Sequence, residues 1–371
     1  MKSWLRKIHL WLGLSTGLLV FIIAITGCLY AFKDEIQWAL QDFRKVAIQN
    51  KEFLPPSVIR QISDSALAGK HIHAVQYTSP QHAVKAIYYS HDEGYYDIAY
   101  INPYSGELLK VRDEARDFFR IVLWGHFYLF LPAKIGQNVV GVVTLGFFVL
   151  VISGLFLWMP KKRKQVSDKL KVKWGASWRR VNFDIHQVVG IYTMLFSLVF
   201  IITGLMWCYE WFRKGSYEVA SGHPWKEYYE PVSMKDSLDT MAFDPNLQVD
   251  KIYHWMSNEY GKTSAIEVHF PESDTGCIAA NFNPEEGTFW KIDYRYFDMY
   301  TLKELPVDHL WGRYQPENKA DLIFRMNYDI HVGAIAGLPG KIIAFITSLL
   351  IASLPVTGFL LWKGRKYKKS N

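Results

Sequence analysis

The chain is poor in cysteine: Cys28, Cys208 and Cys277 are the only three in 371 residues. None sits in a CxxC pair or at a metal-type spacing, so no cysteine-based metal or redox motif is present. Charge is missing from the middle of four apolar runs, at about 10–32, 136–159, 188–211 and 342–362. A bilayer core needs roughly 20 apolar residues of helix. Backbone polar groups in lipid must bond within their own segment, so each run reads as a membrane-spanning helix. Acids are absent from these cores, which argues against a proton relay. A glycine-rich dinucleotide fingerprint is absent from the short loop between the second and third runs, so that loop holds no flavin or nicotinamide domain. The mean hydropathy of −0.01 averages long apolar runs with ordinary soluble sequence.

Acids are also scarce in three short segments. The first seven residues, the 161–182 loop and the tail carry 17 bases and one acid, Asp168. The rest, leaving aside Asp184 at a helix mouth, carries 33 acids and 25 bases. Bases collect on the cytoplasmic side of a membrane protein. Both termini and the middle loop are therefore expected inside, and the long connections, about 33–125 and 213–327, outside. The net charge of +7 then reflects topology and not nucleic-acid binding. Lys2, Arg6 and the run ending Ile25-Thr26-Gly27-Cys28 resemble a lipoprotein signal. The run is long for a cleaved signal, and Ile-Thr-Gly recurs at Ile202-Thr203-Gly204. The first helix is therefore read as retained. Cys28 and Cys208 both fall near outer helix ends, yet nothing in the spacing demands a disulfide.

What is present occurs twice. His9 precedes Gly13 by 4 residues and Gly27 by 18, and His186 stands in the same relation to Gly190 and Gly204. Arg120 precedes His126 by 6, as Arg325 precedes His331, and each of these histidines is followed by a proline break and a span. The spans end alike, in Ser153-Gly154-Leu155-Phe156-Leu157-Trp158 and Thr357-Gly358-Phe359-Leu360-Leu361-Trp362. The expected fold is a membrane α-helical protein with α+β extracytoplasmic modules. Its four transmembrane helices form a duplicated helix–module–helix unit, a parallel repeat about the membrane normal. The expected segments are a first span at 1–32, an outer module at 33–125, and an outer entry with the second span at 126–160. A cytoplasmic loop at 161–182, a third span at 183–212 and a second outer module at 213–327 follow. An outer entry with the fourth span at 328–362 and a basic tail at 363–371 complete the chain.

In the first module, helices are expected at 34–46 and 57–68 and strands at 73–77, 84–89 and 95–101. A turn at Asn102-Pro103-Tyr104-Ser105-Gly106 follows, then a helix over 114–131. In the second, helices are expected at 235–241, 245–260 and 319–330, and strands at 264–270, 275–281 and 288–293. Pro355 is a candidate kink in the fourth span.

Topology sorts four of the 12 histidines into pairs: His9 with His186 inside, and His126 with His331 outside. Ionisable groups at membrane segments carry a functional presumption. Two imidazoles per site suit b-type haem, since neutral imidazole is a good axial ligand and a flat apolar macrocycle suits a helix bundle. Two haems would then give an electron path across the bilayer. Zinc or copper fits less well, because a pair of histidines lacks the further ligands those ions take. The small residues near His9 and His186 suit a macrocycle, but also plain close helix packing. Asp184 and Asp329, each two residues before a paired histidine, are candidates to orient an imidazole. Arg120 and Arg325 are candidates for the outer haem's propionates. Arg6, Lys7, Arg179 and Arg180 are placed to meet inner propionates, but are read first as ordinary positive-inside membrane anchors. Trp124, Trp207, Trp211 and Trp311 are read as lining the outer site or forming an aromatic belt. The other eight histidines show no ligand spacing and are read as surface residues.

These motifs together resemble the PepSY-associated transmembrane proteins. The resemblance rests on the His-x3-Gly…Thr-Gly of spans one and three, Gly-His before span two, and Ile-His-Val-Gly before span four. The Gly-Leu-Phe-Leu-Trp ending and the Asn-Pro-Tyr-Ser-Gly-Glu turn, which looks like the PepSY module itself, complete it. In the second module Thr301-Leu302-Lys303 replaces the usual glycine turn. The resemblance implies a bacterial inner-membrane haem protein that reduces ferric siderophores or other ferric chelates in iron acquisition. Its electron donor would be quinol or a separate reductase. Two competing readings predict no haem. In one, the outer modules bind a peptide, protease or uptake partner while the helices only anchor. In the other, the chain is a transporter accessory, which the lack of intramembrane acids and broken helices weakens.

Overall fold

The computed structural model describes residues 2–234, 244–261, 265–315 and 319–367. It divides into two compact units: Met1–Lys33, Phe118–Ser216 and Asn327–Asn371 form one, and Asp34–Asp117 with Tyr217–Met326 form the other.

The first unit contains four helices long and apolar enough to cross a membrane: Ser3–Ala31, Ala133–Trp158, Trp178–Cys208 and Ala334–Gly364. This is a multi-pass membrane protein. The first span packs against the second and fourth, and the third against the same two. Close approach rests on small residues, as expected where lipid offers no hydrophobic drive to associate. A Cβ on Gly17 would lie 3.3 Å from Pro355. The fourth helix, Gly337–Tyr367, runs on through Pro355 without a break. Val20, Val143 and Ile351 form a buried cluster backed by Phe147 and Phe200. Two short helices, Phe118–Tyr128 and Asn327–Val332, precede the second and fourth spans. The helix expected over 114–131 is broken: a 3-10 turn covers Glu114–Arg116, and Leu129 and Phe130 turn left-handed at φ 52° and 62°. The expected 319–330 helix likewise divides into Lys319–Arg325 and Asn327–Val332. Gly333, at φ +81°, ends the latter, and a Cβ there would meet the Gly340 carbonyl.

The second unit is built on a seven-stranded antiparallel sheet. Its strands are β1 (Ile72–Tyr77), β2 (Val84–Ser90), β3 (Tyr95–Ile101), β4 (Leu108–Asp113), β5 (Ala265–His269), β6 (Cys277–Asn283) and β7 (Asp293–Asp298). The order is β4-β3-β2-β1-β5-β6-β7. The two outer segments, expected as separate modules, thus share one sheet. The joint is β1 against β5, with Val75 opposite Val268 and Gln76 opposite Glu267. An unpaired edge exposes a row of N–H and C=O groups, and pairing the two edges removes both rows. One face buries Ile59 from the Pro56–Ala66 helix and Val249, Ile252 and Met256 from the Pro245–Tyr260 helix. Asp250 ties those helices together by accepting from the Ser57 backbone N–H and hydroxyl at 2.8 and 2.5 Å.

Several boundaries differ from expectation. The 34–46 helix ends at Leu40, and Lys45 instead bridges His82. The third strand of the second segment is Asp293–Asp298, because 288–291 is taken up by a turn. The expected helix at 235–241 lies outside the described residues.

Candidate functional site

The membrane unit brings the four paired histidines together as two pairs. The rings of His9 and His186 stand 6.4 Å apart, centroid to centroid, at 87°. Those of His126 and His331 stand 6.1 Å apart at 69°. The first span carries His9 at one end and Thr26-Gly27 at the other, and the third carries His186 and Thr203-Gly204. Eighteen residues at 1.5 Å per residue separate the two ends by about 27 Å.

A hydroxyl–glycine dipeptide from a neighbouring helix holds each ring. His9 Nδ1 lies 2.8 Å from Ser153 Oγ, and His186 Nδ1 lies 2.8 Å from Thr357 Oγ1. His331 Nδ1 lies 2.7 Å from Thr203 Oγ1. His126 Nδ1 donates to the Ile23 carbonyl at 2.9 Å, with Thr26 Oγ1 at 3.4 Å. The glycine after each hydroxyl makes room for the ring. A Cβ on Gly27, Gly154, Gly204 or Gly358 would lie 3.2, 3.3, 3.6 or 3.4 Å from the imidazole of His126, His9, His331 or His186. Sequence reasoning noticed the recurring Thr-Gly and Ser-Gly dipeptides without giving the hydroxyls this role. Their contacts span 100 to 171 residues, so no local spacing discloses them.

The pairs have the spacing of a shared metal. With about 2.0–2.1 Å from a first-row metal to imidazole nitrogen and roughly 1.1 Å from nitrogen to centroid, two imidazoles on opposite sides of one metal stand about 6.2 Å apart, whereas the tetrahedral angle of zinc brings them to about 5 Å. Among the described residues, no group of three or more His, Cys, Asp or Glu side chains could hold a metal ion. A bare ion would therefore have two protein ligands per pair, fewer than zinc or copper sites use. A macrocycle that brings its own four nitrogens fits this donor set. Beside His126 and His331 lies an apolar cavity whose walls include Phe127, Phe200, Trp207 and Val143. Trp207 meets the His331 ring edge-on at 5.1 Å.

Other expected residues are placed differently. Asp184 does not reach an imidazole: it accepts from Arg180 at 2.9 Å and from the Lys173 backbone N–H at 3.2 Å. It thereby pins the 161–177 loop to the third span. Asp329 is fully buried beside His331 in sequence. Arg325 is buried, and its guanidinium donates to the carbonyls of Trp290, Leu310 and Ile292 within the second unit. Arg120 is exposed on the helix that bears His126, and Arg6, Lys7 and Arg179 are exposed. Trp124 donates to the Leu131 carbonyl, Trp211 is exposed, and Trp311 belongs to the second unit. Cys28 and Cys208 are both free thiols.

Two of the histidines read as surface residues meet across the β1–β5 joint. His269 Nδ1 lies 3.2 Å from His73 Nε2, and the outer nitrogens of the two rings meet Glu267 and Glu272 at 3.1 and 2.9 Å. Their sequence separation of 196 residues hid this.

A family profile described as the PepSY-associated TM region matches residues 6–365. No curated protein matches the chain.

Proposed function

The chain belongs to the PepSY-associated transmembrane family, and from that premise we propose that it is a di-haem b electron-transfer protein. In this reading it lies in the bacterial inner membrane and reduces ferric chelates, ferric siderophores among them, on the periplasmic side. The observation that carries the reading is the pairing of four imidazoles, at 6.4 and 6.1 Å, each held through Nδ1. Bound haem would supply one-electron chemistry, which the side chains of this protein cannot. His9 with His186, and His126 with His331, would hold it. The glycines beside the rings seat the imidazoles, and the apolar cavity beside His126 and His331 suits a flat apolar macrocycle. Arg120, on the same helix as His126, is the assigned partner for the outer propionates. Arg325 is committed to carbonyls of its own unit and takes no such role.

The excess of bases supports a cytoplasmic placement of the termini and the 161–182 loop. The His9 pair then lies at the inner leaflet and the His126 pair at the outer. The donor is quinol or a separate reductase. Reduction releases iron, because ferrous ion binds hard oxygen chelators more weakly than ferric ion does.

The test is a dithionite-reduced minus oxidised visible spectrum of the purified protein, with haem quantified. Two b-type haems per chain are expected. Colourless protein from haem-replete cells sinks the proposal and favours a membrane-anchored binding module. If two haems are present, His331→Ala should remove one and abolish chelate reduction.

A further inference from the structure

Each imidazole nitrogen has its proton assigned by its neighbours. Thr26, Ser153, Thr203 and Thr357 each donate their single hydroxyl proton to a carbonyl of their own helix. The acceptors are Ile22 at 2.7 Å, Leu150 at 3.1 Å, Val199 at 2.6 Å and Ser353 at 3.0 Å. A hydroxyl so committed can only accept from the ring, so the ring must carry its proton on Nδ1. The Ile23 carbonyl, which only accepts, fixes the same tautomer for His126. Nε2 is then a bare lone pair in all four rings, the form a metal requires.

We propose that the hydroxyls of Ser153, Thr203 and Thr357 are positioning residues that hold the paired imidazole planes crossed, and that Thr26 is dispensable beside the Ile23 carbonyl. The inference rests on the haem reading. Among the described residues, Thr203 is the hydrogen-bond acceptor for His331 Nδ1, so its removal frees the ring. Ser153 and Thr357 each hold one ring of the other pair in the same way. Thr26 is the most distant of the four, and the Ile23 carbonyl already takes the His126 proton. A hydrogen bond on Nδ1 also raises ligand basicity and favours the ferric state.

The test uses the full-length holoprotein and the variants Thr203→Val, Thr357→Val, Ser153→Ala and Thr26→Val. The readouts are ferric electron paramagnetic resonance and the midpoint potential of each haem. Crossed imidazole planes give a strongly anisotropic low-spin signal, and the wild type should show it. Thr203→Val should change the signal of one haem and raise its potential. Ser153→Ala and Thr357→Val should do the same to the other haem, and Thr26→Val should leave both unchanged. Thr203→Ser should restore the wild-type signal. If Thr203→Val loses a haem, rescue by Ser supports the proposal, and failure of that rescue overturns it in favour of methyl packing. Unchanged signals and potentials in all four variants overturn it while leaving the haem assignment intact, as does an effect of Thr26→Val equal to that of Thr203→Val. A wild type without haem removes both readings together.

Discussion

At the scale of single residues, the candidate site is as much a matter of what is omitted as of what is supplied. Each imidazole lies where a neighbouring helix lacks a side chain. The clearances are unequal: a Cβ at Gly27 would come within 3.2 Å of His126, whereas one at Gly204 would stand 3.6 Å from His331. The first requires the ring to give way, and the second is ordinary van der Waals contact. Gly27→Ala should therefore displace His126, with an overpacking cost of about 1–3 kcal/mol. Gly204→Ala should be nearly neutral. Haem content and the visible spectrum of the two variants distinguish them, and equal loss in both would show that the glycines serve helix packing alone. The histidines themselves were legible in the sequence, because their spacing to Gly13, Gly27, Gly190 and Gly204 repeats. The roles of Ser153 and Thr357 were not, since helix interiors are full of hydroxyls bonded to their own backbone. Only the meeting of two helices distinguishes these from the rest.

At the scale of elements, the outer strands were legible from alternation, because one face of each packs under the helices bearing Ile59 and Met256. Their joining was not. Nothing in 72–77 announces that its partner is 265–269, as edge pairing is set by the tertiary fold and β1–β5 spans nearly 200 residues. That joint carries a charge arrangement with a pH signature. Lys85 donates to Gln76, Gln76 to Glu267, and His269 to Glu267. Burial alone would lower the His269 pKa, but the hydrogen bond and charge of Glu267, aided by Glu230 and Glu272, raise it. Burial would raise Glu267, but His269, Gln76 and Lys85 lower it.

The two shifts stabilise over different ranges. A raised histidine contributes fully below its ordinary value of about 6.5, and its contribution fades as pH rises through the folded value. A depressed glutamate contributes above its ordinary value of about 4.3 and fails as pH falls through the folded value. The pair should therefore stabilise the sheet most between about pH 4.3 and 6.5, by roughly 1 kcal/mol given its partial exposure. Thermal melting of full-length wild type and Glu267→Gln across pH 4 to 9 measures this. The gap between the two should be widest in that window and narrow toward pH 9 as His269 loses its proton. A gap that does not vary with pH would assign Glu267 a purely steric role.

At the scale of the whole chain, each imidazole pair draws one member from each half: His9 and His126 precede the 161–177 loop, and His186 and His331 follow it. The supporting hydroxyls do not cross between halves. Ser153 holds His9 and Thr26 lies by His126, while Thr357 holds His186 and Thr203 holds His331. Each half thus orients its own two rings, and only the meeting of halves makes a pair. The same division runs through the sheet, where β1–β4 come from the first half and β5–β7 from the second. A chain severed between Arg163 and Lys164 should consequently separate orientation from ligation. Either half alone should lack six-coordinate low-spin haem. Both halves expressed together should associate through the β1–β5 joint and the packing of the first span on the fourth, and regain two haems per pair of fragments. Low-spin haem in one half by itself would mean that the half pairs with a second copy of itself. The assignment of His9 to His186 and His126 to His331 as obligatory partners would then fall.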